Sequence, residues 1–111
     1  MTTARDQAVL FADVSGSTRL YERLGDRVAL ALIGRCVETM QHLTLRNQGT
    51  IVKTIGDEVM AVFDSATVAC RAAMDMQIGV CRLPESIEHG LTIHCGFHFG
   101  EVMVADDADV F

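Results

Sequence analysis

The chain of 111 residues has no tryptophan, a single proline and no cluster of lysine or arginine. Its formal net charge is −6, which argues against sequence-independent binding to a nucleic-acid backbone, because such binding needs a basic surface. No apolar run is as long as a membrane span, and the polar N-terminus has no signal-peptide pattern. We therefore expect a cytoplasmic protein whose segment here contacts neither membrane nor nucleic acid.

Cysteine pairs with metal-binding or redox spacing are also missing, since none of the four cysteines belongs to a C-x-x-C motif. Each cysteine lies in a segment with an apolar pattern. Buried free thiols are therefore predicted in preference to disulfides or a zinc site, and they suit a reducing compartment. These residues are Cys36, Cys70, Cys81 and Cys95.

Half of the residues are apolar, which is enough for one real core in a chain of this length. The hydrophobic spacing predicts alternating strands and helices with short connections. In chain order these begin with a strand over 7–13 covered on both faces, a helix over 18–24 capped by Ser17 or Thr18, and a longer helix capped by Asp26 that stops at 47–49. A hairpin of 50–55 and 58–63 follows, and then a helix capped by Asp64-Ser65 with a narrow face of small residues (Ala66, Ala69, Cys70, Ala73, Gln77, Val80, Cys81). The chain continues with a loop over 84–90, a last strand or strand pair within 91–104 interrupted by Gly96 and Gly100, and an acidic turn over 106–109.

With the two early helices counted as one crossover, this order predicts a single α+β domain. The fold class is the ferredoxin-like split βαβ, a palm-type antiparallel sheet with helices on one face. In that topology the first and third strands are central, adjacent and antiparallel. Asp13 ends the first strand and Asp57 precedes the third, so the two carboxylates are predicted to lie close together. Two such carboxylates make a two-metal site for phosphoryl transfer plausible.

Three sequence blocks carry a resemblance to the catalytic domain of the class III adenylyl/guanylyl cyclases. Residues 11–18 (FADVSGST) are similar to the family's first metal motif, and residues 53–63 (KTIGDEVMAVF) to its second. Residues 96–102 (GFHFGEV) resemble its Gly-x-His-x-Gly strand. The blocks occur in the family's order and cover nearly the whole chain.

The resemblance implies the cofactors, the substrate and the reaction. Asp13 and Asp57 would bind two Mg²⁺ or Mn²⁺ ions, with the carbonyl of Val14 as a further ligand. The backbone amides around Gly16, Ser17 and Thr18 would hold the triphosphate at a helix start. The product would be a 3′,5′-cyclic nucleotide, released with pyrophosphate.

Two further residues would select the base. Lys53 stands where adenylyl cyclases keep a base-reading lysine, and Asp109 resembles the partner aspartate. A lysine donor and an aspartate acceptor suit adenine, so ATP is expected rather than GTP. The resemblance also implies a homodimer in which one protomer supplies the metal aspartates and the other the base-reading residues.

The chain departs from the family pattern at two places. The family continues with an asparagine and an arginine beyond the Asp109 block, whereas this sequence stops at Phe111. We therefore expect a cyclase domain, 1–111, that lacks its C-terminal segment, turns over weakly or not at all, and belongs to a longer signalling protein with regulatory domains. His94 replaces an arginine that is common in relatives.

Other interpretations of these residues remain open at the level of sequence. Asp13 could only cap a turn, and Asp57 could be the Asx residue of a hairpin. Strand alternation directs Glu58 to the opposite face, which favours a structural role, and His98 is predicted to be a core histidine. The alternative functions are a degenerate cyclase-like module for nucleotide binding or regulatory dimerisation and, from the likeness of residues 55–59 to a Gly-Gly-Asp-Glu-Phe hairpin, a diguanylate cyclase-like palm enzyme.

Overall fold

The fold consists of four strands and four helices in a computed structural model, which describes residues 3–104 and, of Val104, the backbone alone. The element types agree with the predicted order except for one added helix. The elements are β1 (Thr3–Val14), α1 (Ser17–Leu24), α2 (Asp26–Arg46), β2 (Thr50–Ile55), β3 (Glu58–Phe63), α3 (Ala66–Cys81), α4 (Pro84–His89) and β4 (Ile93–Val104).

The four strands form one antiparallel sheet in the order β2-β3-β1-β4. β1 and β3 are the central pair, as the predicted topology requires. The long helices α2 and α3 pack on one face of this sheet, where they bury residues such as Leu32, Met40 and Met76 against it. The α+β fold class with helices on one face is therefore confirmed.

β1 presents two different faces to its surroundings. Ala8, Leu10, Ala12 and Val14 point toward the helices and are 3% exposed or less. The residues between them point away from the helices, and Phe11 is 45% exposed. The prediction that this strand is covered on both faces is therefore wrong at Phe11, whereas Gln7 and Val9, on the same side as Phe11, are buried. We call the sheet surface turned away from the helices the open face.

Several predicted boundaries and caps differ from the structure. The residue before α1 is Gly16, with φ +69, and the residue before α2 is Gly25, so neither Ser17, Thr18 nor Asp26 caps its helix. Only the cap at Ser65 is confirmed among these, because its hydroxyl accepts a hydrogen bond from the Val68 amide at 3.1 Å.

The segment after α3 was predicted least well. Residues 84–89 form the short helix α4 rather than a loop, with Pro84 in the first turn, where its fixed φ suits a helix. β4 is one continuous strand of 12 residues, and neither Gly96 nor Gly100 interrupts it. The acidic turn predicted over 106–109 lies outside the described residues.

The cysteines do not share one environment. Cys36 is buried and Cys95 is partly buried, but Cys70 and Cys81 are exposed on α3, so the prediction of four buried thiols is wrong for these two. The buried face of α3 is formed instead by Ala69, Ala72, Met76 and Val80, of which the predicted narrow face contained the first and the last. All four thiols are free, as predicted.

This arrangement predicts an order of thiol reactivity. Burial raises the pKa of the Cys36 thiol, and burial followed by the charge of Asp13 raises the pKa of the Cys95 thiol. A raised pKa leaves less thiolate at a given pH, so Cys36 and Cys95 should react with iodoacetamide later and at higher pH than Cys70 and Cys81. Peptide mass spectrometry of a time course at several pH values measures this, and equal rates at all four sites would contradict it.

Gly49 provides a test of the packing between the α2–β2 turn and the sheet. A Cβ atom at this position would overlap the ring of Phe63, which is fully buried. Gly49→Ala should therefore lower the free energy of unfolding by about 1–3 kcal/mol. Gly34→Ala is the matched control, because its Cβ meets nothing within 4 Å and alanine favours the helix. Urea unfolding compares them, and equal stability of the two variants would exclude the overlap.

Candidate active site

The two aspartates that are predicted to bind metal lie at the same end of the sheet. Asp13 is the penultimate residue of β1, and Asp57 belongs to the two-residue turn between β2 and β3, whose first residue, Gly56, has φ +57. The Val14 amide donates a hydrogen bond to the Asp57 carbonyl oxygen at 3.2 Å. The backbone positions predicted to come together are therefore adjacent, although the chain separates them by a helical crossover and a hairpin.

A row of three ionisable residues crosses the open face beside this turn. In the strand register Asp13 lies opposite Glu58 of β3 on one side and opposite His94 of β4 on the other. Directly opposed residues of antiparallel strands share a face, so Glu58 is on the same face as Asp13. The prediction that Glu58 points away from the site is therefore wrong. The His94 Nδ1 atom is 4.0 Å from the Asp13 Oδ1 atom.

The turn that follows Asp13 leads directly into α1. The Ser15 amide donates to the Thr92 carbonyl oxygen at 2.8 Å, which ties the turn to the segment before β4. The first hydrogen bond within the helix runs from the Leu20 amide to the Gly16 carbonyl oxygen, and no side chain caps the helix. The amides of the first turn, which include those of Ser17 and Thr18, have no intrahelical acceptor and suit a bound anion.

Lys53 lies on the open face next to this end of the sheet. Together with four neighbours on β1, β2 and β3 it lines a small cavity of about 110 Å³. The neighbours are Phe11, Ile55, Glu58 and Met60. The cavity thus combines apolar walls with one cationic and one anionic side chain.

Sequence reasoning missed most of this cavity, although the signal was available. The two-residue turn pairs Ile55 with Glu58, and the central pair β1–β3 brings Phe11 opposite Met60. Alternate positions counted from these pairs place all four neighbours on the same face of the sheet as Lys53. Strand alternation counted from Asp57 puts Glu58 on the opposite face, but Asp57 belongs to the turn, to which the alternation of a strand does not extend.

Two other predicted residues have different outcomes. His98 is exposed on the open face opposite Val9, so the prediction of a core histidine is wrong. Asp109, the predicted partner of Lys53 in base selection, lies outside the described residues.

The donors near Asp13 fit hard divalent cations better than softer metals. Carboxylate and carbonyl oxygens, as at Asp13, Asp57 and Val14, are the ligands that Mg²⁺ and Mn²⁺ prefer. Among residues 3–104, no three or more His, Cys, Asp or Glu side chains cluster closely enough to enclose a metal ion. A pair of carboxylates leaves coordination positions for phosphate oxygens and water, which suits cations held jointly with a substrate.

A larger groove lies on the other side of the molecule. It has a volume of about 640 Å³ and runs along α3, where Met74, Ile78 and Phe97 give it a mainly apolar lining. It contains neither Asp13 nor Asp57, so we place the candidate site at the end of the central strands instead. In the same part of the chain, residues 3–104, no helix has both the length and the apolar character that crossing a membrane requires.

A family model described as the adenylate and guanylate cyclase catalytic domain matches residues 1–109. The chain therefore belongs to this family of nucleotidyl cyclase domains. The class III resemblance carried by its sequence blocks is confirmed.

Individual relatives agree with this assignment. The chain is 33% identical over 108 residues to a Rhizobium meliloti protein provisionally named adenylate cyclase 3, and 34% identical over 101 residues to the adenylate cyclase of Streptomyces coelicolor. These alignments cover 94% and 88% of this chain but 18% and 25% of the relatives, so the chain spans at most a quarter of their length.

A solved structure supports the fold. The adenylate/guanylate cyclase/hydrolase of Silicibacter pomeroyi superposes with a TM-score of 0.81 at 29% identity. The superposition covers all of this chain and 65% of that one.

Proposed function

We propose that this chain is the catalytic part of an adenylyl cyclase that converts ATP to 3′,5′-cyclic AMP and pyrophosphate. The observation that supports the proposal most strongly is the meeting of Asp13, Asp57 and the uncapped start of α1 at one end of the sheet. Two aspartates at adjoining backbone positions, with a helix start whose amides have no intrahelical acceptor, suit a triphosphate and the cations that accompany it.

In this proposal the residues of the chain bind and orient the substrate. Asp13 and Asp57 hold the cations, and the amides of residues 16–18 bind phosphate oxygens. Two bound Mg²⁺ or Mn²⁺ ions would supply charge stabilisation for the departing pyrophosphate and would lower the pKa of the ribose 3′-hydroxyl. Because the chain carries a net charge of −6, cations are also needed to offset repulsion between the protein and the nucleotide.

Base selection is assigned to the cavity around Lys53. Phe11 and Ile55 provide apolar walls for a flat ring, and the Lys53 ammonium can donate to a ring nitrogen of adenine. Asp109 is proposed as an acceptor for the same base. These assignments, together with the two adenylate cyclase relatives, favour ATP over GTP.

The open face supports a homodimer with shared active sites. Phe11 and Ile55 are 45% and 67% exposed there, beside a cluster of Val9, Val62 and Val102. The three valines are buried, but Phe11 and Ile55 both line the Lys53 cavity, and exposed apolar side chains that adjoin one another are typical of an interaction site. A second copy placed on this face would bring the Lys53 cavity of one protomer toward the Asp13 of the other.

The remaining parts of the proposal concern the longer protein. The asparagine and arginine that steady the transition state in the family would follow residue 111, and regulatory domains would accompany the cyclase in the cytoplasm. This chain alone should then turn over weakly, with a deficit of roughly 10²–10³-fold.

Cyclic nucleotide production tests the function directly. This chain and the longest natural form of the protein would each be incubated with Mn²⁺ and either ATP or GTP, and the products separated by chromatography. We expect cyclic AMP from the longer form. A folded and dimeric longer form that is silent with both nucleotides would replace the enzyme with a binding or dimerisation module, and cyclic di-GMP would indicate a diguanylate cyclase.

A further inference from the structure

Glu58 is the one charged residue of the Lys53 cavity to which the proposed function assigns no role. It is paired with Ile55 across the β2–β3 turn and with Asp13 across the β1–β3 ladder, so it stands between the base cavity and the metal carboxylates. It is exposed, and its side chain lines the cavity together with Lys53. Of the five residues that form this lining, Glu58 is the only one with a carboxylate.

The polar side chains of the cavity complement the edge of a purine. Adenine presents an amino group, which donates, next to a ring nitrogen, which accepts. The Lys53 ammonium only donates hydrogen bonds, and an ionised glutamate only accepts them. The two side chains in one cavity therefore offer the complement of the adenine edge, and the walls of Phe11, Ile55 and Met60 suit the faces of the ring.

We propose that Glu58 is a specificity-determining residue, whose carboxylate accepts a hydrogen bond from the 6-amino group of the adenine base. This inference rests on the proposed function and adds a residue to it. Lys53 keeps its role as the donor to the ring nitrogen, whatever other contacts it makes.

A role in metal binding is the main competing interpretation, because Glu58 neighbours Asp13. Glu58, however, lines the cavity with Lys53, whereas Asp13 does not. A glutamate drawn to the cations would leave the cavity with a donor and no acceptor among its lining residues. The two roles differ in which measured quantity changes when the carboxylate is removed.

The test compares ATP with purine riboside triphosphate, which lacks the 6-amino group. With the longest natural form of the protein and Mn²⁺, kcat/KM for ATP should exceed that for the analogue by roughly 10–100-fold, as expected for a hydrogen bond to a charged group. Glu58→Ala should lower kcat/KM for ATP by a similar factor and leave the analogue unchanged, so that the ratio falls toward one. Glu58→Gln, which keeps an acceptor oxygen, should retain part of the preference.

Glu101→Gln is the matched control. Glu101 is an exposed glutamate of β4 that lies opposite Asp6, on the sheet side facing away from the Lys53 cavity. Its replacement should leave the ratio of the two substrates unchanged. Thermal unfolding of each variant shows whether a loss of activity reflects a loss of folded protein.

Three results of this kinetic comparison would overturn the inference. Equal losses for ATP and the analogue would indicate a structural role, and an increased Mn²⁺ requirement with an unchanged ratio would assign Glu58 to the cations. If the ratio of kcat/KM values is unchanged in Glu58→Ala but falls toward one in Asp109→Asn, Asp109 alone accepts the hydrogen bond from the amino group.

A binding assay distinguishes a failure of this inference from a failure of the proposed function. If the parent protein forms no cyclic nucleotide, the proposed reaction fails, but competition against a fluorescent ATP derivative in Ca²⁺ still measures base preference. A Glu58-dependent preference for ATP over the analogue in that assay supports the inference for a binding module. Absence of a preference, or of nucleotide binding altogether, overturns it.

Discussion

Replacement of Asp13 or Asp57 by asparagine is expected to lower the rate of cyclic AMP formation by roughly 10³-fold, because each change removes a charge that holds cations against the triphosphate. A backbone hydrogen bond joins Asp57 to Val14, the neighbour of Asp13, and in the proposed function both aspartates belong to one site. The double variant should therefore be hardly worse than either single variant. Initial rates at saturating Mn²⁺ and ATP measure the effect.

Asp6→Asn controls for the loss of an aspartate from the same strand. Asp6 is exposed near the other end of β1, far from the β2–β3 turn, and its replacement should leave the rate unchanged. Equal unfolding curves for all variants would place the effect in the site. Retention of near-normal rates in both Asp13→Asn and Asp57→Asn would exclude these carboxylates as the metal ligands.

Mixing two inactive variants is expected to restore activity. Asp57→Asn lacks a metal ligand and Lys53→Ala lacks a base-reading residue, so each homodimer has two defective sites. If each site takes its aspartates from one protomer and its lysine from the other, every mixed dimer contains one intact site. With random pairing of a symmetric dimer, activity should recover to about a quarter of the parental value.

Mixing the Asp57 and Lys53 variants distinguishes sites shared between protomers from sites contained within one chain. Sites contained within one chain would each retain a defect in the mixed dimer, and no activity would return. The matched control mixes Asp57→Asn with Asp13→Asn, which remove ligands of the same half-site. That mixture should stay inactive under either arrangement of the dimer, since no pairing then yields a complete set of aspartates.

The sequence predicted the parts of the fold that short-range patterns determine. Gly56 and Asp57, between two strand-like runs, specified a tight hairpin, and Ser65 supplied a cap that the structure contains. Ile33, Cys36, Val37 and Met40 recur at helical spacing in the sequence, and all four are buried on α2. From the element order alone, the split βαβ topology placed Asp13 beside the hairpin.

The errors arose where partners remote in sequence decide the structure. Gly96 and Gly100 weaken an isolated strand, yet β4 continues through them because it pairs with β1 along its whole length. The open face could not be inferred from β1, since a strand with apolar residues on both sides is equally compatible with a buried and a partner-facing surface. Glu58 shares a face with Asp13 through the register between β1 and β3, which pairs residues remote from each other in the sequence.

The ladder between β1 and β4 also has a consequence for how the protein is made. β1 comes first and β4 last among the described elements, so the most extensive strand pairing of the sheet joins segments from opposite ends of the chain. Closing so long a loop is slow, and contacts of high sequence separation delay folding. During synthesis the strand that carries Asp13 must wait, with one edge unpaired, until β4 has left the ribosome. Nucleotide binding should accordingly be acquired late and all at once rather than in stages.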